Sequence, residues 1–167
     1  MKRLFVLRHA KSSWDEPGLD DHERPLTKRG RKAAEKLAER LGKDGAAPEL
    51  VLCSTALRAR ETLAGVGRGL DPDVPVQLEP GLYLASLQGL VGRVRTLPEE
   101  FDAVMLVGHN PGLQELVLHL ADGGLAERVR SKLPTGALVT IDLDLEHWAD
   151  VTPGSGRVVS VVVPRDL

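Results

Sequence analysis

Two hydrophobic patterns alternate along the chain. Short continuous apolar runs are typical of strands covered on both faces of a sheet. They occupy residues 4–7, 50–53, 74–78 and 103–107. Between them, apolar residues recur every three or four positions, which predicts amphipathic helices. These predicted helices cover residues 28–41, from 54 or 55 to about 69, 87–97 and 110–120. The alternation of the two patterns predicts an α/β domain with a mostly parallel sheet.

Capping residues mark where the predicted helices begin. Thr27 precedes the first helix, and Ser54 or Thr55 is expected to cap the second. Asn110 is expected to cap the last of these helices, with Pro111 at its first helical position. Each helix start therefore follows closely on a predicted strand or a loop.

The C-terminal part of the chain has a different pattern. Residues 138–143 and 158–163 are rich in β-branched residues and are separated by a turn at Pro153-Gly154. They predict an antiparallel hairpin that closes one edge of the sheet. A chain of 167 residues without internal repeats predicts a single domain, residues 1–167.

Composition excludes several classes of protein. With 42% hydrophobic residues, 28% charged residues and a net charge of −2, the chain has no general attraction for nucleic acid or anionic membranes. One cysteine, Cys53, excludes an internal disulfide and a multi-cysteine zinc site. No apolar run approaches the ~20 residues of a membrane span. We expect a cytoplasmic protein; the oligomeric state stays open, with a monomer favoured.

Polar residues follow three of the predicted strands where these strands end. Ligands bind at the carboxyl ends of parallel strands, so these residues should meet in one pocket. Two arginines and two histidines there would form a cationic site, and the helix starts behind it favour an anion. We therefore infer a phosphoryl ligand. The residues are Arg8 and His9, Ser54 and Arg58, and His109 and Asn110.

Neighbouring residues are assigned by the same reasoning. Arg58 is preferred to Arg60, because residues two positions apart face different sides of a helix. Lys11 follows His9 and is a candidate for the pocket entrance, although loop solvation explains it equally well. The basic run at residues 28–32 indicates a solvated helix face or an attraction for an acidic partner.

Four segments of the sequence resemble the histidine phosphatase superfamily, and its SixA-type phosphohistidine phosphatase branch in particular. The resemblance covers the chain up to about residue 120, in the order of the family's motifs. It rests on LRHA at residues 7–10, RPLT at 24–27 with Gly30, STALRARET at 54–62 and VGH at 107–109.

This resemblance implies a fold, a mechanism and roles for named residues. The fold would be the three-layer α/β/α sandwich of phosphoglycerate mutases, with a mostly parallel, mixed central sheet. His9 would become phosphorylated, while Arg8, Arg58 and His109 bind the phosphate and Arg24 lies near it. The expected activity needs neither metal nor cofactor, and the expected partner is a protein that carries phosphohistidine.

Two departures from the family pattern bear on the substrate. The usual Arg-His-Gly is Arg-His-Ala here, with the still small Ala10. Many members also carry a carboxylate after the third strand that protonates an alkoxide leaving group, whereas Glu79 comes too early for that role. Imidazole leaves far more easily, since its conjugate acid has a pKa near ~6.5. The absent acid thus fits phosphohistidine, and equally a slow or promiscuous phosphatase.

Three alternative functions compete with this prediction. A phosphatase of small phosphorylated metabolites shares the fold and the pocket. A non-catalytic phosphate-binding module would keep the pocket without turnover, although the presence of both His9 and His109 argues against such decay. A nucleotide-dependent oxidoreductase is excluded, because the Gly-rich segment at residues 65–69 does not open a helix and continues into Leu70.

Overall fold

A six-stranded mixed sheet runs through the centre of the protein. The computed structural model describes residues 1–167. The strands are β1 Lys2–Arg8, β2 Leu50–Ser54, β3 Val76–Glu79, β4 Ala103–Gly108, β5 Leu138–Leu143 and β6 Gly156–Val162. The helices are α1 Lys28–Asp44, α2 Leu57–Val66, α3 Leu87–Arg95, α4 Gly112–Leu120 and α5 Ala126–Ser131. The strand order is β3-β2-β4-β1-β5-β6.

The sheet confirms the predicted α/β architecture. Strands β3, β2, β4 and β1 are parallel, while β5 is antiparallel to both β1 and β6. The register pairs Arg8 with Gly108, so the residues that follow β1 and β4 leave the sheet side by side. This pairing is what brings His9 next to His109.

Helices cover both faces of the sheet, which makes the fold a three-layer sandwich. Phe5 and Leu7 of β1 pack in a core of 14 buried residues with α1 and α2. Leu4 and Val6 face the opposite core of 26 buried residues, beneath α3, α4 and α5. Because successive strand residues point to opposite faces, a continuous apolar run serves both cores.

Several element boundaries differ from the sequence-based prediction. Helix α1 begins as predicted, with Thr27 Oγ1 accepting from Gly30 N at 2.9 Å. The prediction that Ser54 or Thr55 caps α2 is wrong, since Ala56 holds that position without a side-chain cap. In α4 the N-cap position is Pro111, one residue later than predicted.

The C-terminal region also differs from the prediction. Helix α5, six residues long, was not predicted because its apolar pattern is too short to show periodicity. The two predicted edge strands do pair in antiparallel fashion, with β6 beginning two residues earlier than predicted. None of the helices has the length and apolar character needed to cross a membrane.

Candidate active site

A cavity of about 420 Å³ opens at the carboxyl end of the parallel strands. Of the eight residues that the sequence nominated, all but Ser54 line it. The lining residues that carry polar side chains are Arg8, His9, Lys11, Ser12, Asp21, Arg24, Arg58, His109, Asn110 and Thr135. The structure therefore brings residues from distant parts of the chain into one cationic cleft.

His9 is held in the cavity with one ring nitrogen engaged and the other free. Its backbone N donates to Gly108 O at 3.0 Å, which anchors the residue directly after β1. Its Nδ1 lies 2.7 Å from Ala10 O. A carbonyl only accepts hydrogen bonds, so Nδ1 carries the proton and Nε2 keeps its lone pair.

The surroundings of His9 keep the ring uncharged at neutral pH. Burial lowers the pKa of His9 to about 4, and the nearby charges of Arg58 and Arg8 act in the same direction, against the Ala10 hydrogen bond. A neutral imidazole with a free Nε2 lone pair is the form that attacks phosphorus.

His109 lies beside His9, with 5.3 Å between the ring centroids. Its Nε2 is 2.7 Å from Ser54 Oγ. That oxygen also accepts from Ala56 N at 3.2 Å, which leaves the hydroxyl proton free to donate to Nε2. The proton of the neutral ring then sits on Nδ1, a buried atom without a partner in the protein.

Burial and the nearby His9 and Arg58 lower the pKa of His109 to about 3. His109 is thus a neutral hydrogen-bond donor whose Nδ1 proton has no partner within the protein. An unpaired buried donor costs free energy in the unliganded protein, and an anion that accepts its proton would recover that cost.

Arg8 and Arg58 present two further unpaired donors. Arg8 Nη1 donates to Leu133 O at 2.9 Å, and Arg58 Nη1 donates to Asp21 O at 2.7 Å. The Nε atom of each arginine is buried and has no partner. Both guanidinium groups are therefore fixed in place while keeping donors for a ligand, which suits the recognition of phosphate oxygens.

Asp21 is a site residue that the sequence analysis missed. It is the one carboxylate that lines the cavity. Its Oδ2 accepts from Arg58 Nη2 at 3.0 Å and from the Tyr83 hydroxyl, and its Oδ1 accepts from Arg24 Nε at 3.1 Å. In sequence it belongs to an acidic stretch between the first predicted strand and the first predicted helix, a pattern typical of solvated residues.

These contacts decide what Asp21 does. The hydrogen bond from Tyr83, followed by those from Arg58 and Arg24, holds the pKa of the Asp21 carboxyl well below its usual range. A carboxylate that stays ionised does not serve as a proton donor at neutral pH. Asp21 instead fixes the positions of the two arginines.

Arg24 closes one side of the cavity. The side chain is buried, and its Nη1 donates to Ser12 Oγ at 2.8 Å and to Ser13 O at 3.0 Å. The guanidinium carbon lies 3.4 Å from the centroid of the Trp14 ring. Trp14 itself is 75% exposed, so its indole stands at the mouth of the cavity.

Of the remaining sequence-based assignments, only that of Ser54 changes. Ser54 is fully buried and contacts His109, so the expected contact with substrate is replaced by one that orients the imidazole. Asn110 lines the cavity, and its Oδ1 accepts from Gln114 N at 3.2 Å. Lys11 is exposed at the cavity edge. Glu79 is paired with Arg93 at 2.7 Å, outside the cavity.

The alanine after the catalytic candidate His9 fits the site. Ala10 is 1% exposed, and its backbone N donates to Thr62 Oγ1 at 2.9 Å. The following Lys11 O lies against Gly30 of α1, where a Cβ atom would approach it to 2.3 Å. Ala10 therefore preserves the tight path of the chain between β1 and α1.

Residues 4–88 match the family model of the histidine phosphatase superfamily, branch 1. The matched segment includes most of β1, the motif segments at residues 7–10, 24–27 and 54–62, and helices α1 and α2. The chain belongs to the histidine phosphatase superfamily. Its activity class is accordingly that of a phosphatase, and His9, Arg8, Arg58 and His109 line one cavity.

Relatives within the histidine phosphatase superfamily match almost the whole chain. An uncharacterised protein of Mycobacterium tuberculosis is 36% identical, and the match covers 95% of this chain and 100% of that protein's length. The phosphohistidine phosphatase SixA of Escherichia coli is 30% identical over 85% of this chain and 86% of its own. A solved structure of the protein histidine phosphatase SixA complexed with tungstate is 25% identical, with a TM-score of 0.81 over 98% of both chains.

Proposed function

We propose that this protein hydrolyses phosphohistidine carried by another protein, through a phosphorylated His9. The observation that carries the proposal is the orientation of His9, whose Nδ1 donates to Ala10 O while Nε2 is free in the cavity. Arg8, Arg58 and His109 line the same cavity, and each has a buried donor without a partner that can serve a phosphoryl oxygen. Phosphoryl transfer requires mainly such alignment and charge stabilisation.

In the first half-reaction, Nε2 of His9 attacks phosphorus and the bond between phosphorus and the substrate nitrogen breaks. A proton on the other ring nitrogen of the substrate lets it leave as neutral imidazole. Nδ1 of His9 stays protonated because Ala10 O accepts its proton. The phosphoryl group then sits on a cationic imidazole ring, which is itself a good leaving group.

In the second half-reaction, water attacks phosphorus and the bond from phosphorus to Nε2 breaks. The oxygen of water becomes the fourth oxygen of inorganic phosphate, one proton goes to solvent, and His9 returns to its neutral form. Neither half requires a carboxylic acid. This agrees with the state of Asp21, the one carboxylate in the cavity, because hydrogen bonds from Tyr83, Arg58 and Arg24 keep it ionised.

The leaving group separates this proposal from the alternatives. An alkoxide leaves poorly without an acid, and general acid catalysis typically contributes about 10²–10⁴-fold. Initial rates of phosphate release are compared for a phosphohistidine-bearing domain, a phosphoserine peptide and a small sugar phosphate. We expect the phosphohistidine substrate to react fastest, in the presence of a chelator as well as in its absence. Faster release from either ester would overturn the substrate assignment.

His9→Asn tests the mechanism separately from the substrate. The variant is expected to lose at least about 10³-fold in turnover and to lose acid-labile labelling by the radioactive substrate. His147→Asn is the matched control, because His147 is exposed and lies outside the cavity. Unchanged turnover in His9→Asn would contradict the covalent mechanism. If the unsubstituted protein bound phosphate but turned over no substrate, it would be a non-catalytic module.

A further inference from the structure

A second cavity of about 510 Å³ lies beside the active-site cavity, and Lys11 and Thr135 line both. Its lining contains five basic residues and no acidic one. We call it the basic cavity, and its cations are Lys11, Arg29, Arg128, Lys132 and Arg165. Since the whole chain has a net charge of −2, this is a local concentration of positive charge.

The cations of the basic cavity are largely free of carboxylate partners. Only Arg128 is paired, with Asp166 Oδ2 at 3.6 Å. Elsewhere on the surface, several arginines lie closer to carboxylates, as Arg3 does to Asp142 at 2.6 Å. Most of the positive charge of this cavity therefore remains available to an external anion.

Helix α1 also favours an anion in the basic cavity, because the basic residues of its first turn destabilise the helix. The N-terminus of a helix favours acidic residues, whose charge compensates the helix dipole. Here the helix opens with Lys28 and Arg29, and its first turn contains no acidic residue. Arg29 lines the basic cavity. A negatively charged group in the cavity would compensate both the dipole and the basic side chains.

We propose that the basic cavity binds an acidic segment of the phosphoprotein, two or more Asp or Glu side chains next to the phosphohistidine. This inference rests on the proposed function, because it identifies how the protein substrate docks. A phosphorylated side chain that reaches His9 lies next to the basic cavity, which is open to the adjoining surface of its protein. The two cavities form one continuous surface through Lys11 and Thr135.

The character of the cations favours an acidic segment over a compact polyanion. In the active site the donors for the phosphoryl group are buried and converge, as Arg58 and His109 show. In the basic cavity, by contrast, Arg29, Lys132 and Arg165 are exposed and come from α1, the end of α5 and the C-terminal turn. Dispersed, solvated charges match carboxylates spaced along a polypeptide.

Binding is measured first, because it does not depend on turnover. A fluorescent, unphosphorylated peptide rich in Glu is titrated with the protein and with the double variant Arg29→Glu/Lys132→Glu. A peptide in which Gln replaces each Glu serves as the reference. We expect the double variant to bind the acidic peptide at least about 10-fold more weakly. Binding should also weaken as salt is added, because exposed charges are screened. Lys36→Glu is the matched control, since this α1 residue is exposed and lies outside the cavity.

Turnover then tests docking in the full reaction. Two phosphohistidine peptides are compared, one with Glu and one with Gln beside the phosphorylated residue. We expect kcat/KM to be at least about 10-fold higher for the Glu peptide than for the Gln peptide. In the double variant, the two peptides should have about equal kcat/KM. Turnover of a small phosphoramidate should change less than about 3-fold. Arg29→Glu alone should melt at or above the temperature of the parent, because it corrects the charge of the first turn.

The outcomes separate the two proposals. Equal kcat/KM for both peptides, with equal binding by all variants, would overturn docking while leaving the proposed function intact. Failure to hydrolyse any phosphohistidine substrate would overturn the proposed function, and the peptide titration would still decide docking. Displacement of the acidic peptide by tripolyphosphate at much lower concentration would assign the cavity to a small polyanion and overturn the assignment to a protein.

Discussion

His109 Nε2 lies 2.7 Å from Ser54 Oγ, and this contact determines which nitrogen of His109 faces the cavity. Ser54 is the last residue of β2, whereas His109 follows β4, so two neighbouring parallel strands jointly orient one imidazole. Because Ser54 Oγ donates to Nε2, the Nδ1 proton is left for the phosphoryl group. Ser54 acts through His109 and is a positioning residue.

Ser54→Ala is expected to lower kcat/KM about 10-fold, since the imidazole can then rotate or change tautomer. Nitrogen NMR should show His109 as a mixture of tautomers in the variant and as the Nδ1–H form in the parent. Ser86→Ala is the control for stability. It removes the N-cap of α3, which costs about 1 kcal/mol, without touching the site. Equal losses of activity in both variants would contradict the positioning role.

Asp21→Asn should lower kcat/KM about 10–100-fold, because Arg58 and Arg24 lose the carboxylate that holds them. A positioning role predicts the same proportional loss with phosphohistidine and with a phosphate ester. A general acid would instead be needed far more by the ester. Kinetics with both substrates therefore distinguish the two roles of Asp21.

Proton binding by the active-site histidines should be visible in the free protein. The pKa of His9 is about 4, below the ordinary ~6.5 of an unfolded chain. NMR titration of the imidazole protons is expected to show no titration of His9 between pH 8 and 5. A midpoint near 6.5 would contradict the buried, cation-flanked environment.

The same shifts make the folded protein less stable in acid. Between pH 6.5 and the folded pKa values of about 4 for His9 and about 3 for His109, the unfolded chain binds more protons than the folded one. The stabilising contribution is complete above pH 6.5 and declines as the pH falls. At pH 5 we expect a loss of about 2 kcal/mol per histidine. Urea denaturation between pH 6.5 and pH 5 measures this loss. In His109→Gln the free energy of unfolding should depend less steeply on pH.

Substitution of Gly30 tests how closely helix α1 packs against the loop that follows His9. A Cβ at this position would lie 2.3 Å from Lys11 O, so Gly30→Ala should destabilise the protein by about 1–3 kcal/mol and reduce activity. Gly42→Ala is the matched control in the same helix, because nothing lies within 4 Å of its Cβ. That substitution should stabilise the protein by up to about 1 kcal/mol. Equal effects at both positions would contradict the close approach.

The elements of the fold and most residues of the candidate site follow from residue order along the chain. Continuous apolar runs and helical periodicity depend on local residue order, and they predicted the strands and the main helices. Polar residues directly after β1 and β4 could also be placed at the carboxyl edge of the sheet, because parallel strands end together. His9 and His109 were found in this way.

The way in which these groups are used depends on tertiary contacts. Asp21 enters the site through contacts with Arg58 and Tyr83, which are 37 and 62 residues away in sequence. The orientation of His109 by Ser54 depends on strand register, and the shift of a buried pKa depends on everything packed around the ring. Such long-range contacts have no periodic signature in a sequence, since they arise when the chain folds and brings distant side chains together.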